Sequence, residues 1–194
     1  MMMRKSLYIF LLSACASVAS GQVAEFSVSG GVSRLGGAEL STNPQITLGD
    51  GFRLAFRMTL NTYRYFGHEF GYGYAHTNIK IPGSSDVGMG IHSGLYDFLA
   101  YARPEGSRVR PFVTGGVQFS SFFPPGTSVY YGNQVTKFGF NYGGGVKVRL
   151  TGIWGLRFDI RQYNSGKPDI LSTPQAPSGR LLQTEVTAGV VFNL

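Results

Sequence analysis

The sequence contains few charged residues and, beyond its first twenty residues, no long hydrophobic run. Asp, Glu, Lys and Arg make up 14% of the 194 residues, against about 25% in a typical soluble domain. A membrane-spanning helix needs about 20 consecutive apolar residues, and the chain downstream of its start offers no such run. If this part of the chain spans a membrane, it must do so as a closed β-barrel, because in lipid every backbone polar group needs an internal partner.

Cysteine is nearly absent as well, since Cys15 is the only one and an internal disulfide is therefore excluded. Cys15 follows two basic residues, Arg4 and Lys5, and an apolar run over residues 7–12. This pattern predicts a secretory signal peptide over residues 1–21, cleaved after Gly21. Residues 12–15 also resemble the lipobox of bacterial lipoproteins, so cleavage before Cys15 is the alternative, and the mass of the mature N-terminus distinguishes the two.

Several binding chemistries lack their sequence signals. The net charge of +7 is spread along the chain, and no Lys/Arg cluster has the density of a nucleic-acid patch. The glycine-rich stretches at 30–31 and 143–145 are not followed by the helix and the Lys-Ser/Thr pair of a phosphate loop. No set of metal ligands has a workable spacing. We therefore expect no nucleic-acid partner, no cofactor, no metal site and no catalytic residues.

The sequence is rich instead in runs where apolar and polar residues alternate. In the clearest run, residues 136–150, one face carries Phe138, Phe140 and Tyr142, and the other carries Lys147 and Arg149. A strand separates such residues cleanly, because successive side chains point to opposite faces. Seven further runs follow the same pattern, with those at 26–32 and 88–102 the weakest. They are residues 26–32, 52–60, 70–74, 88–102, 113–119, 154–160 and 182–194.

The connections between these runs alternate in length. Short turns are expected at 61–62, 103–107 and 151–152, and longer polar loops at 36–46, 78–86, 123–135 and 164–179. Eight strands with short turns at one rim and long loops at the other are typical of outer-membrane barrels. The sequence therefore predicts an all-β fold, an eight-stranded antiparallel up-and-down transmembrane β-barrel over residues 22–194, whose N-terminus lies on the periplasmic side.

The polar faces of the runs carry charges of both signs, which we assign to the inside of the barrel. Isolated charges are costly in a dry interior, so they must pair or meet water. An eight-stranded barrel is barely wide enough for its own side chains, which predicts a polar plug of ion pairs and small water pockets, and no open pore. This predicted lumen charge network comprises Arg53, Arg57, Glu69, Asp97, Lys147, Arg149, Arg157, Asp159, Arg161 and Glu185.

The end of the chain carries the most specific motif. Residues 187–194 follow a polar-x-Gly-x-x-apolar-x-apolar pattern, with Thr187, Gly189, Phe192 and Leu194 at its key positions. This stretch resembles the C-terminal signal recognised by the barrel-assembly machinery, although Leu replaces the usual final Phe. With this motif, residues 22–194 resemble the OmpA-like family of outer-membrane barrel domains. The resemblance implies an integral outer-membrane location, the assembly machinery as a partner during insertion, contact with outer-membrane lipid and lipopolysaccharide, and no peptidoglycan-binding domain.

The three histidines bear on whether the barrel is an enzyme. His68 and His76 share the lipid-facing side of their strand, and His92 points away from the adjacent Ser93, so neither arrangement forms a nucleophile–base pair. We therefore favour a structural or interaction role, either in envelope integrity or in the display of loops whose ligand the sequence does not specify. The alternatives are a narrow porin-like channel for small solutes, a lipid-modifying enzyme, and a soluble lipocalin-like barrel, which would have its apolar side chains inside.

Overall fold

The fold consists of β-strands joined by turns and loops. The computed structural model describes residues 23–36, 38–124, 134–170 and 179–194. The strands are β1 (Val23–Arg34), β2 (Glu39–Thr42), β3 (Gln45–Leu48), β4 (Gly51–Tyr63), β5 (Phe66–Lys80), β6 (Val87–Tyr101), β7 (Val109–Phe123), β8 (Val135–Arg149), β9 (Trp154–Gly166) and β10 (Arg180–Asn193). Within these ranges no helix is long and apolar enough to cross a membrane.

Eight of these strands form a closed antiparallel barrel. Each pairs with the next in the order β1, β4, β5, β6, β7, β8, β9 and β10, and β10 pairs back with β1. If paired residues are followed from strand to strand around the barrel, a path that begins at Arg34 of β1 comes back to β1 at Ala24. This offset of ten residues is the stagger of the barrel, and it shows that the strands are tilted to the barrel axis. The predicted eight-stranded all-β barrel is confirmed, whereas the predicted signal peptide lies outside the described residues.

The barrel carries its apolar side chains on the outside. Phe56, Val117 and Ile160 are among many large hydrophobic residues exposed on the outer face, whereas Arg57 and Arg157 are buried. This arrangement is the reverse of a soluble barrel and matches an outer-membrane barrel, whose outer band faces lipid. The predicted orientation of the two faces is therefore confirmed, and the lipocalin-like alternative is wrong.

The two rims differ from the sequence expectation in detail. The turn expected at 61–62 falls at 64–65, because β4 continues to Tyr63. The loop expected over 78–86 is shortened to 81–86, because β5 extends to Lys80. The loop expected at 36–46 contains most of an ordered hairpin, β2–β3, whose second strand pairs with β5 through Leu48 and Ile79. In the other two long loops, residues 125–133 and 171–178 lie outside the described ranges.

The only tryptophan of the chain provides a direct test of the bilayer position. Trp154 begins β9 at the short-turn rim, and its ring packs on Phe192 with centroids 4.1 Å apart. Tryptophan prefers the boundary between lipid and water. We expect its fluorescence to be quenched more strongly by lipids brominated near the headgroup than by lipids brominated at the chain end. Quenching by aqueous iodide but by neither lipid would contradict this position.

Candidate functional site

Glu69 of β5 is the centre of an ion-pair network across the middle of the barrel lumen. Its side chain is fully buried, and Arg157 donates to both of its carboxylate oxygens, from Nη1 at 2.6 Å and from Nη2 at 3.1 Å. Arg161 Nη2 donates to Oε1 at 2.6 Å, and the Thr59 hydroxyl donates to Oε2 at 2.9 Å. Charge-assisted, bidentate contacts of this kind are the strongest hydrogen bonds in proteins and fix the side chains in place.

Two aspartates, Asp159 and Asp97, also accept hydrogen bonds from these arginines, and a third arginine, Arg57, lies close to the network. Asp159 accepts hydrogen bonds from Arg157 Nε at 2.7 Å and from Nη2 at 3.1 Å. Asp97 accepts one from Arg161 Nη1 at 2.5 Å. Arg57 is held more loosely, with ion-pair distances of 3.6 Å to Glu69 and 3.8 Å to Asp159, and its Nε and Nη1 make no hydrogen bond to described residues.

A separate buried pair lies nearer the long-loop rim. Arg53 Nε is 3.0 Å from Glu185 Oε1, and Gln183 Nε2 donates to the same carboxylate oxygen at 2.9 Å. With this pair, the middle of the lumen holds four guanidinium groups and four carboxylates, so the predicted network is electrically balanced there. Balance matters because a single unpaired charge in such a site is strongly destabilising.

A second cluster closes the periplasmic mouth of the barrel. Lys147 Nζ donates to Glu25 and, at 3.0 Å, to the Tyr101 hydroxyl. The guanidinium of Arg110 lies 3.4 Å from the centre of the Tyr101 ring and 3.9 Å from carboxylate oxygens of Glu25 and Glu105. Partial burial raises the pKa of the Glu105 carboxyl above its usual value, and the positive charge of Arg110 opposes that shift.

The structure places nine of the ten predicted lumen charges in these three groups and leaves Arg149 apart. Arg149 ends β8, is only half-buried at the mouth, and makes no ion pair with any described residue. Sequence reasoning also missed Glu25 and Arg110. Glu25 could have been found, because it lies two residues before Ser27 and extends the polar face of the weak first run. Arg110 was harder to find, because the adjacent Pro111 obscures the start of β7.

The long-loop end of the lumen is apolar, which the sequence did not predict. Inward-facing side chains of the barrel strands meet residues of the β1–β4 connection in one buried cluster, which we call the outer plug. Its members are Leu35, Leu40, Ile46, Leu48, Ala75, Ile79, Met89, Ile91, Phe122 and Leu181. The expected polar plug therefore fills only the middle and the periplasmic mouth of the lumen, and a hydrophobic layer covers it on the outer side.

The histidines lie on the outer wall, away from the lumen groups. His92 and Tyr72 share a hydrogen bond of 2.5 Å on the lipid-facing side, while Ser93 points inward and contacts Ser120 at 3.2 Å. His68 is hydrogen-bonded to the Tyr96 hydroxyl at 2.8 Å, and His76 stacks on Phe52. No group of three His, Cys, Asp or Glu side chains suited to a metal ion occurs among the residues that the structure describes.

The residues of the predicted assembly signal all lie on or just after β10. Thr187 is buried on the lumen side, Phe192 packs against Trp154 on the outer face, and Leu194 is exposed after the strand end. Gly189 faces inward opposite Ser29, where an added Cβ would be 2.1 Å from the carbonyl oxygen of Val28. A larger residue would therefore disturb the seam that closes the barrel.

Comparisons with known proteins give the same fold. The neisserial surface protein A has a TM-score of 0.62 at 15% identity, over 90% of this chain and 98% of that one. The outer membrane protein OprG of Pseudomonas aeruginosa has a TM-score of 0.61 at 11% identity, over 89% and 97%. The N-terminal barrel domain of OprF from the same organism has a TM-score of 0.53 at 12% identity, over 88% and 97%. A search of curated proteins found no match.

The family is shown by the sequence itself. The family model described as outer membrane protein beta-barrel domain matches residues 6–193. Together with the apolar outer wall and the closed eight-stranded barrel, this match places the chain in the bacterial outer membrane as an integral protein. The chain belongs to the outer membrane protein beta-barrel domain family.

Proposed function

We propose that the protein is a structural barrel of the outer membrane that holds its outer loops on a closed, non-conducting scaffold. The observation that carries this proposal is the filling of the lumen by three successive layers. The mouth cluster of Glu25, Lys147 and Arg110 lies at the periplasmic end, the ion pairs around Glu69 fill the middle, and the outer plug lies beyond them. A solute would have to break buried ion pairs and an apolar cluster to pass.

The hairpin β2–β3 supports a role in loop display. Its strands are short, yet its position is fixed, because Leu40, Ile46 and Leu48 are buried in the outer plug. The side chains of Thr42 and Gln45 point to solvent at its exposed end. Loops held on a rigid scaffold in this way are common sites of binding. The hairpin therefore presents a defined surface to the cell exterior.

The positions of the histidines and serines support a role without catalysis. A lipid-modifying enzyme of the serine type needs a nucleophile and a base within hydrogen-bond reach of each other. Ser93 and Ser120 are hydrogen-bonded to each other inside the barrel, and the neighbouring His92 lies on the opposite face of the wall. Lipid A mass spectrometry of cells with and without the protein tests this part of the proposal, and we expect identical spectra.

Conductance of the refolded protein tests the closed barrel. We expect no discrete current steps in planar bilayers, because the buried ion pairs and the outer plug occupy the lumen. Heat-dependent migration on a gel verifies folding before each recording, and Trp154 fluorescence of the same protein in vesicles verifies insertion. Reproducible current steps that scale with the amount of inserted protein would contradict the proposal and favour the narrow channel.

A further inference from the structure

A groove of about 500 Å³ lies on the lipid-facing wall where β8, β9, β10 and β1 meet. Its floor is formed by the small residues Gly30 of β1, Ala188 of β10 and Gly144 of β8. Gly30 and Ala188 are paired across the two strands, and Gly144 is paired with Ile160 of β9. Larger apolar side chains flank it: Val32, Val146, Phe158, Ile160 and Val186. The groove is therefore apolar and open to the acyl chains of the bilayer.

Gly30 is not required by the barrel itself. An added Cβ would have Leu54 Cδ2 at 3.8 Å and Arg53 O at 3.9 Å as its nearest neighbours, which are ordinary contact distances. Its neighbour Gly31 differs, because a Cβ there would be 2.0 Å from the carbonyl oxygen of Val186. Glycine weakens a strand, and at position 30 its missing side chain serves to keep the groove open.

A row of polar side chains borders the groove on its outer side. Arg34 pairs with Thr184, Thr184 with Gln162, and Gln162 with Tyr142, one outward-facing position above the groove on each strand. The Tyr142 hydroxyl donates to Gln162 Oε1 at 2.6 Å, so this hydrogen bond does not use the amide nitrogen of Gln162, which is a donor. Hydrogen-bonding groups directly above an apolar groove match the two parts of a lipid, a polar headgroup and its acyl chains.

Two arginines supply positive charge at this border and just above it, since Arg34 belongs to the polar row and Arg180 lies on β10 four residues beyond Thr184 towards the loops. Arg34 ends β1 and Arg180 begins β10, and neither forms an ion pair with a carboxylate among the described residues. Arg180 is held in place by a 3.2 Å hydrogen bond from Nη1 to Asn164 Oδ1 and by the Phe140 ring 5.3 Å away. Arginine binds phosphate by paired, charge-assisted hydrogen bonds, and both of these arginines lie at the outer ends of their strands.

A second groove on the wall differs in charge. It has about 700 Å³ and runs over Gly94 between β4 and β8. The outward positions above it are occupied by His92, Ser121 and Thr136, which are paired across β6, β7 and β8. These three positions carry no arginine or lysine. The larger groove can therefore accommodate acyl chains, but it has no positive charge there to attract a phosphate.

We propose that the groove over Gly30 is a binding site for one phosphorylated lipid of the outer leaflet, the lipid A part of lipopolysaccharide. An acyl chain lies against Gly30, Gly144 and Ala188, and the phosphate groups of the lipid are bound by Arg34 over β1 and by Arg180 over β9. The long-loop rim that carries both arginines faces the outer leaflet, where lipid A is the phosphorylated lipid. This site is independent of whether the lumen conducts.

Native mass spectrometry of protein extracted from outer membranes in a neutral detergent tests the site. The probes are lipid A with both phosphates, dephosphorylated lipid A and phosphatidylglycerol. We expect one molecule of phosphorylated lipid A to be retained, and the double variant Arg34→Gln, Arg180→Gln to reduce its affinity at least tenfold. The same double variant is expected to leave retention of dephosphorylated lipid A unchanged.

A matched pair of variants tests the groove separately from the charges. Gly30→Leu fills the groove and is expected to lower lipid A affinity at least tenfold. Gly90→Leu is the control, because Gly90 also faces lipid, has no neighbour closer than 3.4 Å to an added Cβ, and lies on β6, outside the groove and away from its border. Equal losses in the two variants, or equal retention of phosphatidylglycerol and lipid A, would overturn the proposal. Heat-dependent migration confirms that each variant is folded.

Discussion

Replacement of Glu69 by Gln is expected to lower the free energy of unfolding by about 3–5 kcal/mol, the usual cost of removing one partner from a buried ion pair. The carboxylate of Glu69 is in contact with three guanidinium groups, those of Arg57, Arg157 and Arg161. Gln keeps the shape of the side chain but removes its charge, so the middle of the lumen then carries one uncompensated positive charge. Urea unfolding from lipid vesicles, followed by Trp154 fluorescence, measures the change.

Two comparison variants make this result specific to the ion-pair network. Glu39→Gln makes the same chemical change in the hairpin, where the carboxylate accepts only an exposed hydrogen bond from Gln45, and is expected to alter stability by less than about 0.5 kcal/mol. Arg57→Met is expected to cost less than Glu69→Gln, because Arg57 has only the longer contacts. A loss below about 1 kcal/mol for Glu69→Gln would mean that water screens the lumen charges, and the closed barrel would then be in doubt.

The strands that carry the ion pairs were predictable because a strand has a side-chain period of two. Once Phe158 and Ile160 are assigned to the lipid side, Arg157, Asp159 and Arg161 must point inward, whatever the details of packing. Partner choice within the lumen was not predictable in the same way. It depends on the stagger of the barrel, which brings Glu69 of β5 opposite Arg157 of β9 across the lumen. No local sequence pattern encodes which residues of β5 and β9 face each other across the lumen.

The outer plug escaped sequence reasoning for a related reason. Leu40 and Ile46 flank a run of Ser, Thr, Asn, Pro and Gln that indicates a polar loop, and neither has a strand-long alternating pattern around it. Their burial follows from the hairpin folding back over the lumen, a tertiary contact. Ile79 and Met89 were hidden as well, because they lie at strand ends, where the inward face changes from charged to apolar.

The outer plug gives rise to the second large prediction, for the variant Leu48→Asp. Leu48 is fully buried, its amide donates to Ala38 O at 2.9 Å, and its strand pairs with β5 beside Ile79. A carboxylate in this apolar cluster has no partner to offset its desolvation, at a cost of about 3 kcal/mol or more. Every 1.4 kcal/mol is a factor of ten in an equilibrium constant, so the hairpin is expected to undock more than about 100-fold more often.

Proteolysis of the folded protein in vesicles measures this undocking. Proteinase K added outside is expected to cut the Leu48→Asp variant between residues 35 and 50 at a rate raised by about two orders of magnitude, with cleavage mapped by mass spectrometry. Thr47→Asp is the control, because Thr47 is the adjacent residue of β3, points to the opposite face, and lines a polar cavity beside Lys80. It introduces the same charge without entering the outer plug.

Conductance of the undocked variant then separates the layers of the lumen. With the hairpin displaced, the ion pairs around Glu69 still span the middle of the barrel, so Leu48→Asp alone is expected to give no current steps. Adding Glu69→Gln removes the central carboxylate as well, and current steps in the double variant alone would mean that each of these two layers blocks the lumen on its own and that the mouth cluster does not. Current steps already in the single variant Leu48→Asp would instead mean that the hairpin is the sole barrier. Water and ions would then have to pass between the ion pairs around Glu69.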